Sequence, residues 1–316
     1  MAQGHAERVF SVLRDGAAPA LSPIAASWRR CLTQHHLDPE NRKPPETLSG
    51  SELREAQERM GPLLAAAQDN LDALFQAVGD AGCCVLLTDA EGVPVARRGV
   101  EGDDAVFRRW GLWQGAVWSE AREGTNGIGT CLTEQRVLTI HRDQHFHTRN
   151  IGLSCTVAPL FDPNGRLAGA LDVSSCRSGL ENLTGMVERI VTDAARRIEA
   201  RAFRDAFPTA RIMLLPETGA DRASVPMLAV DGDDLVIGAT RAARLALKLT
   251  DDTLRRGLAS PDRSVDLDEA ERAAVRRALT QSSGNVSAAA ARLGLSRATL
   301  NRKLKRLGLA RGREFH

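Results

Sequence analysis

Residues 284–308, GNVSAAAARLGLSRATLNRKLKRLG, leave the chain few choices of structure. Asn285 is a good helix N-cap, and the small residues at 287–291 suit a short helix packed closely on a neighbour. Gly294 sits where that helix must stop and the backbone must take a positive φ. Ser296 then caps a second helix whose Leu300, Leu304 and Leu307 recur on one face. Its other face carries Arg297, Thr299, Asn301, Arg302, Lys303, Lys305 and Arg306. Residues 268–281 supply a supporting helix, with Ala270, Ala273, Val275 and Leu279 for its buried side. A short helix, a glycine turn and a capped basic helix make a helix-turn-helix. Charge separates at the same place: from Asn285 to His316 eight Lys and Arg face a single acid, whereas the whole chain carries only +2. The rest of the chain is therefore net negative, and this end is the one suited to phosphate.

The run Gly284-Asn285-Val286, Ala289-Ala290-Ala291, Leu293-Gly294-Leu295-Ser296, Thr299-Leu300 and Arg302-Lys303-Leu304 resembles the Fis-type DNA-binding domain that ends many bacterial transcription regulators. That resemblance implies double-stranded DNA as a partner. Arg297, Thr299, Asn301 and Arg302 are expected near base edges, since Arg to guanine and Asn to adenine are the bidentate pairings geometry allows. Lys303, Lys305, Arg306 and the helix N-terminus at Ser296 are expected on phosphates. Asn301 departs from the aromatic residue often found at its position in this family.

A chain of 316 residues is long enough for two or three domains with real cores. No apolar run approaches the ~18 residues of a membrane span, and the opening MAQGHAERVF has no secretory pattern, so the cytoplasm is expected. The six cysteines lack CxxC spacing and are expected as reduced thiols. Residues 1–66 read as a helical region with a linker loop at 38–45. Helical spacing over 51–79 marks either a dimerisation element or a helix packed on its own domain.

Residues 67–178 change character. Apolar runs at 83–88 and 93–96 flank the turn Asp89-Ala90-Glu91-Gly92, and runs at 156–161 and 166–174 flank Asp162-Pro163-Asn164-Gly165. With a strand at 137–141 they predict an antiparallel sheet flanked by helices, an α+β domain. Trp118-Ser119-Glu120, Gly124-Thr125-Asn126-Gly127-Ile128-Gly129-Thr130, Asp143-Gln144-His145-Phe146 and the run from Cys155 to Asp162 resemble a GAF domain. The version they resemble belongs to acetoin-type activators of the enhancer-dependent class, and Ser27-Trp28-Arg29-Arg30-Cys31 extends the likeness upstream. The resemblance implies a small-molecule sensor. Trp113, Trp118, Thr125, Asn126, His145, Phe146 and Cys155 are the expected ligand contacts, suited to a compact uncharged effector. The glycine-rich stretch lacks the Lys-Ser/Thr of a phosphate loop. His141, His145 and His147 have spacing that would suit Zn or Fe, but only Asp143 offers a nearby acid, and no metal is assigned. Nothing local activates a thiolate at Cys83, Cys84 or Cys155.

Residues 179–207 predict a long signalling helix whose seam, Leu183, Val187, Ile190, Ala194, Ile198 and Ala202, is expected to pair with a second copy; docking on the chain's own sheet is the alternative. Residues 208–266 read as a strand-strand-helix insert resembling the opening of a PAS-type module, followed by a linker at 260–266, and 267–316 form the DNA-binding domain. Acetoin-type relatives carry an AAA+ ATPase between sensor and DNA-binding end, and this chain has no room for one. The reading is a homodimeric, non-enzymatic, ligand-responsive transcription regulator without a cofactor. It would act directly on RNA polymerase or as an accessory to a full-length activator, with no membrane partner. A nucleoid-type DNA-bending protein with little ligand dependence is the alternative.

Overall fold

The computed structural model of the protein describes residues 2–12, 14, 22–177, 183–216, 224–255, 257–259 and 267–309. The chain divides into two compact units, the first holding most of residues 1–205 and the second most of 206–316.

The first unit is built on a five-stranded antiparallel sheet of β1 (Cys83–Asp89), β2 (Pro94–Arg98), β3 (Leu138–His141), β4 (Ser154–Phe161) and β5 (Leu167–Ser175), in the order β2-β1-β5-β4-β3. Strand alternation sends Cys83, Val85, Leu87, Ala158, Leu160, Leu171 and Val173 to one face, where they share a core with two helices. Those are α4 (Gly61–Val78), through Leu63, Leu71 and Leu74, and α8 (Thr184–Ala206), through Val187, Val191, Ala194 and Ile198. The other face presents Cys84, Leu86, Cys155 and Val157 to α7 (Gly127–Glu134), to Phe107 of a short helix and to loops that contribute Leu112, Trp118 and Leu153. Both faces are covered, so β1 and β4 are buried along their whole length. Between β2 and α7 lie the short helices α5 (Asp104–Trp110) and α6 (Glu120–Glu123).

The seam expected to pair with a second copy is corrected here. Val187, Ala194, Ile198 and Ala202 are buried against the chain's own sheet, and Ile190 packs on the same core. Glu199, 4% exposed on that same helix, accepts the Phe161 backbone N–H at 2.8 Å, where the β4–β5 register shifts. Residues 178–182, where the expected helix began, lie outside the described residues.

Upstream, α1 (Ala2–Ser11) and α2 (Pro23–Thr33) pack together through Val9, Ala25, Trp28 and Cys31 around Phe146. Ser22 caps α2 with Pro23 in its first turn. The expected helix over 51–79 is two helices, α3 (Gly50–Arg59), which starts with a full Ser49–Glu52 capping box, and α4, separated at Met60 with Pro62 in the first turn of α4.

In the second unit, β6 (Arg211–Leu214), β7 (Met227–Val230), β8 (Leu235–Ala239) and β9 (Leu258–Ala259) form a four-stranded antiparallel sheet in sequence order, covered by α9 (Arg241–Leu247) and α10 (Asp251–Arg255). The expected strand-strand-helix insert is thus larger by two strands and a helix; the linker at 260–266 lies outside the described residues. Three helices follow, α11 (Leu267–Gln281), α12 (Val286–Arg292) and α13 (Arg297–Arg306), around Val275, Leu279, Ala289, Ala290, Leu300 and Leu304. Arg276 pairs with Asp233, and Gln281 donates to the Gly257 carbonyl at 2.8 Å, fastening these helices to the small sheet.

Candidate functional site

The turn between α12 and α13 forms for the reasons its residues suggest. Asn285 Oδ1 accepts from the Ser287 and Ala288 N–H groups at 3.0 and 3.1 Å, and Gly294 takes φ +65°. Leu295 N–H reaches back to the Ala290 carbonyl at 2.9 Å, and Ser296 Oγ accepts from Thr299 N–H at 3.1 Å to start the next helix. Leu300 and Leu304 face inward, which leaves Ser296, Arg297, Asn301, Arg302, Lys305 and Arg306 exposed. Thr299 is half-buried and its hydroxyl lies 2.9 Å from Ser296 Oγ, inside the cap. Lys303 and Arg306 both pair with Glu271 on α11, which holds that carboxyl below its usual range, first through the Lys303 hydrogen bond. Among the described residues, the outward row of Arg297, Asn301, Arg302 and Lys305 is thus the part of α13 not tied to α11, a geometry that fits a major groove.

The expected ligand residues do not converge on one point. Trp118, 1% exposed, donates Nε1–H to the Gly111 carbonyl at 2.8 Å. Trp113 is half-buried, with the Arg97 and Arg108 guanidiniums over its ring at 4.3 and 3.7 Å. Asn126 is spent on architecture: it caps α7 by accepting from Gly129 N–H at 2.9 Å and donates to the carbonyls of Gly124 and Trp118. Phe146 turns toward α2 and joins the Trp28 cluster. His145 and Cys155 do meet, with Nε2 and Sγ 3.6 Å apart on the loop-covered face of the sheet. Burial holds His145 neutral, its imidazole pushed down to about 4, and it drives the Cys155 thiol upward. His147 is buried edge-on to Phe146, and His141 Nε2 lies 2.9 Å from Thr184 Oγ1, so the three histidines are not gathered. Among the described residues no group of three or more His, Cys, Asp or Glu is placed to hold a metal.

Thr125 belongs to a buried network that sequence reasoning missed. Ser27 on α2 donates to Glu120 Oε2 at 2.6 Å and takes a 2.6 Å bond from the Thr125 hydroxyl. Arg30, one turn on, pairs with Glu120 at 2.7 Å and with Glu134 at 2.8 Å. The Ser-Trp-Arg-Arg-Cys motif therefore clamps α2 onto both ends of the loop and helix that carry the glycine-rich stretch. A second oversight is Asp172, fully buried among Cys84, Cys155 and Ser174 on the sheet face that His145 also reaches. Its signal lay in the alternation of β5, which puts an acid on the same side as Ala170.

Comparison with known proteins agrees with this division. The GAF domain matches residues 62–201, and the Fis family of bacterial regulatory proteins matches residues 266–307. The acetoin catabolism regulatory protein of Cupriavidus necator is 38% identical over 229 residues, covering 71% of this chain and 34% of that protein. The acetoin dehydrogenase operon transcriptional activator AcoR of Bacillus subtilis is 28% identical over 226 residues, covering 71% and 36%. The chain thus spans about a third of the length of these relatives. Among solved structures, that of the E. coli DhaR(N)–DhaL complex superposes with a TM-score of 0.54 at 18% identity, over 72% of this chain and 76% of that one, a likeness of fold. None of these comparisons supports the nucleoid-type alternative. One chain thus carries a GAF domain and a DNA-binding domain of the Fis family, and over most of its length it is similar to part of the acetoin catabolism regulatory protein.

Proposed function

We propose that the chain acts as a cytoplasmic homodimer without enzymatic activity, reading two DNA half-sites with α13 in response to a small neutral effector. The observation that carries this reading is the outward basic row of α13 on a capped helix-turn-helix, in one chain with a GAF fold. The two curated relatives are named for control of acetoin catabolism and of the acetoin dehydrogenase operon, which makes acetoin and related small ketones or diols the first effectors to try. No helix of the described residues is long and apolar enough to cross a membrane. No Gly-Lys pair occurs in the sequence, so the proposed regulator engages RNA polymerase, or a full-length activator, without ATP-driven remodelling. No metal or cofactor is part of the proposal.

The test is selection of a preferred operator with the full chain, followed by titration of variants. Arg302→Ala should weaken operator binding about 10-fold or more, a loss of ~1–3 kcal/mol, with little effect on random DNA. Lys305→Ala should weaken both alike and lower the salt slope by about 1. Operator affinity unchanged in Arg302→Ala would remove that residue from the interface.

A further inference from the structure

On the loop-covered face of the five-stranded sheet, one row of side chains is at odds with its surroundings. Arg97 pairs with Leu86, Leu86 with Asp172 and Asp172 with Val157, so these four stand side by side on β2, β1, β5 and β4. Neighbouring strands lie about 4.8 Å apart, which sets Arg97 and Asp172 about 10 Å apart at the backbone with Leu86 between them. Asp172 is 0% exposed; its Oδ2 accepts from Ser174 Oγ at 2.7 Å, and its Oδ1 has no hydrogen-bond partner among the described residues. Arg97 gives Nη1 to Asp104 at 2.8 Å and lies over Trp113, yet its Nε and Nη2 are buried without an acceptor among the described residues. Leu86, wholly buried between them on the loop-covered face, puts both on the same side of the sheet. They do not pair with each other. A donor group and an acceptor left unmet in one core are costly, and natural interiors seldom keep both.

Gly127, the first residue of α7, adds a second observation. A Cβ at this position would stand 3.6 Å from Asp172 Oδ1 and 2.5 Å from Cys155 Cβ. Val157 Cγ2 would lie 2.8 Å from the same Cβ, so only a glycine lets the start of α7 come this close to the carboxyl.

We propose that Asp172 and Arg97 are the two polar anchors of the effector subsite, and that they take a compact, net-neutral molecule with a hydroxyl at one end and an acceptor oxygen at the other. The hydroxyl bonds Asp172 Oδ1, the acceptor oxygen takes the unmet N–H groups of Arg97, and Leu86 faces the carbon skeleton between them. Each anchor discriminates against the charge it shares: Asp172 against an anion, Arg97 against a cation. This assignment rests on the sensor reading above and names the chemistry of that site. Neither residue is among the ligand contacts expected from sequence.

The experiment titrates the full chain and its Asp172→Asn and Arg97→Gln variants with acetoin, 2,3-butanediol, lactate and alanine, by calorimetry and by melting. Acetoin or butanediol should raise the melting temperature of the wild type saturably, and lactate and alanine should not. Each substitution should weaken the neutral probe at least tenfold, with the circular dichroism spectrum and the effector-free DNA affinity unchanged. Asp172→Asn removes a buried charge at constant shape, and Arg97→Gln lies on a different strand, so the two fold independently of one another's success. Loss of less than tenfold in the folded variants overturns the subsite and leaves the sensor reading standing. Tighter binding of lactate or alanine than of either neutral probe overturns the ligand class. Should no probe of any class bind the wild type or alter its DNA affinity, the subsite and the sensor reading fall together.

Discussion

Burial pushes the Asp172 carboxyl up to about 7 and the imidazoles of His145 and His147 down to about 4, and these shifts leave opposite marks on stability. Above an unfolded value of about 3.9, the unfolded chain releases the Asp172 proton that the folded chain keeps, so this group's contribution falls as pH rises. The fall ends near pH 7, where the folded carboxyl also ionises. Each buried histidine does the reverse: below about 6.5 the unfolded chain binds a proton that the folded chain refuses, so stability climbs with pH. That climb starts near pH 4, the folded value. Two rises against one fall give a net climb, then a shallow decline toward neutrality. Asp172→Asn should abolish the decline, steepen the climb and stabilise the protein at pH 7.5 by about 1–3 kcal/mol. Urea midpoints across pH 4–8 check this, and a variant weaker than wild type at pH 7.5 would contradict it. Asp172 escaped notice in the sequence because an acid in an alternating strand normally faces water. Here no face of the sheet does, a fact that only the helices and loops from distant parts of the chain reveal.

Among the elements, the turn of the helix-turn-helix was the most legible. Asn285, Gly294 and Ser296 act through bonds to their own neighbours, so local sequence suffices to place them. The seam of α8 was legible as a seam but not as to its partner, because an apolar stripe looks the same whether a sheet or a second helix covers it. Ile198→Ala should therefore cost about 2–4 kcal/mol, the price of a cavity in a packed core. Denaturation at several protein concentrations separates the cases: a midpoint shift that grows on dilution would restore the pairing role. The strands β6 and β9 escaped because one is partly exposed and the other is two residues long, too little for a period-2 pattern. Glu271 was hidden for another reason, since its link to Lys303 and Arg306 spans two helices. Glu271→Ala should release both cations toward phosphate, tightening binding to random DNA and steepening its salt slope by up to about 2. Fluorescence anisotropy against salt reads both quantities.

At the scale of the whole molecule, the proposed coupling of effector to operator requires that their influence be mutual. If effector changes operator affinity by some factor, saturating operator must change effector affinity by the same factor. Calorimetry of acetoin with and without bound operator checks that equality, and a one-sided effect would mean that the two measurements report different species. The clamp made by Ser27 and Arg30 has a practical consequence for anyone dividing this chain. The GAF match begins at residue 62, well past the helix that supplies both residues. A fragment cut there would leave Glu120, 3% exposed, without its cation, Thr125 without its hydroxyl partner, and Phe146 without its apolar cover. The smallest autonomous sensor is expected to include α2 and the α1 residues that help cover Phe146, and a fragment starting at residue 62 is expected to be recovered as aggregate. Where homology draws the edge of this domain and where its physics draws it are at least forty residues apart.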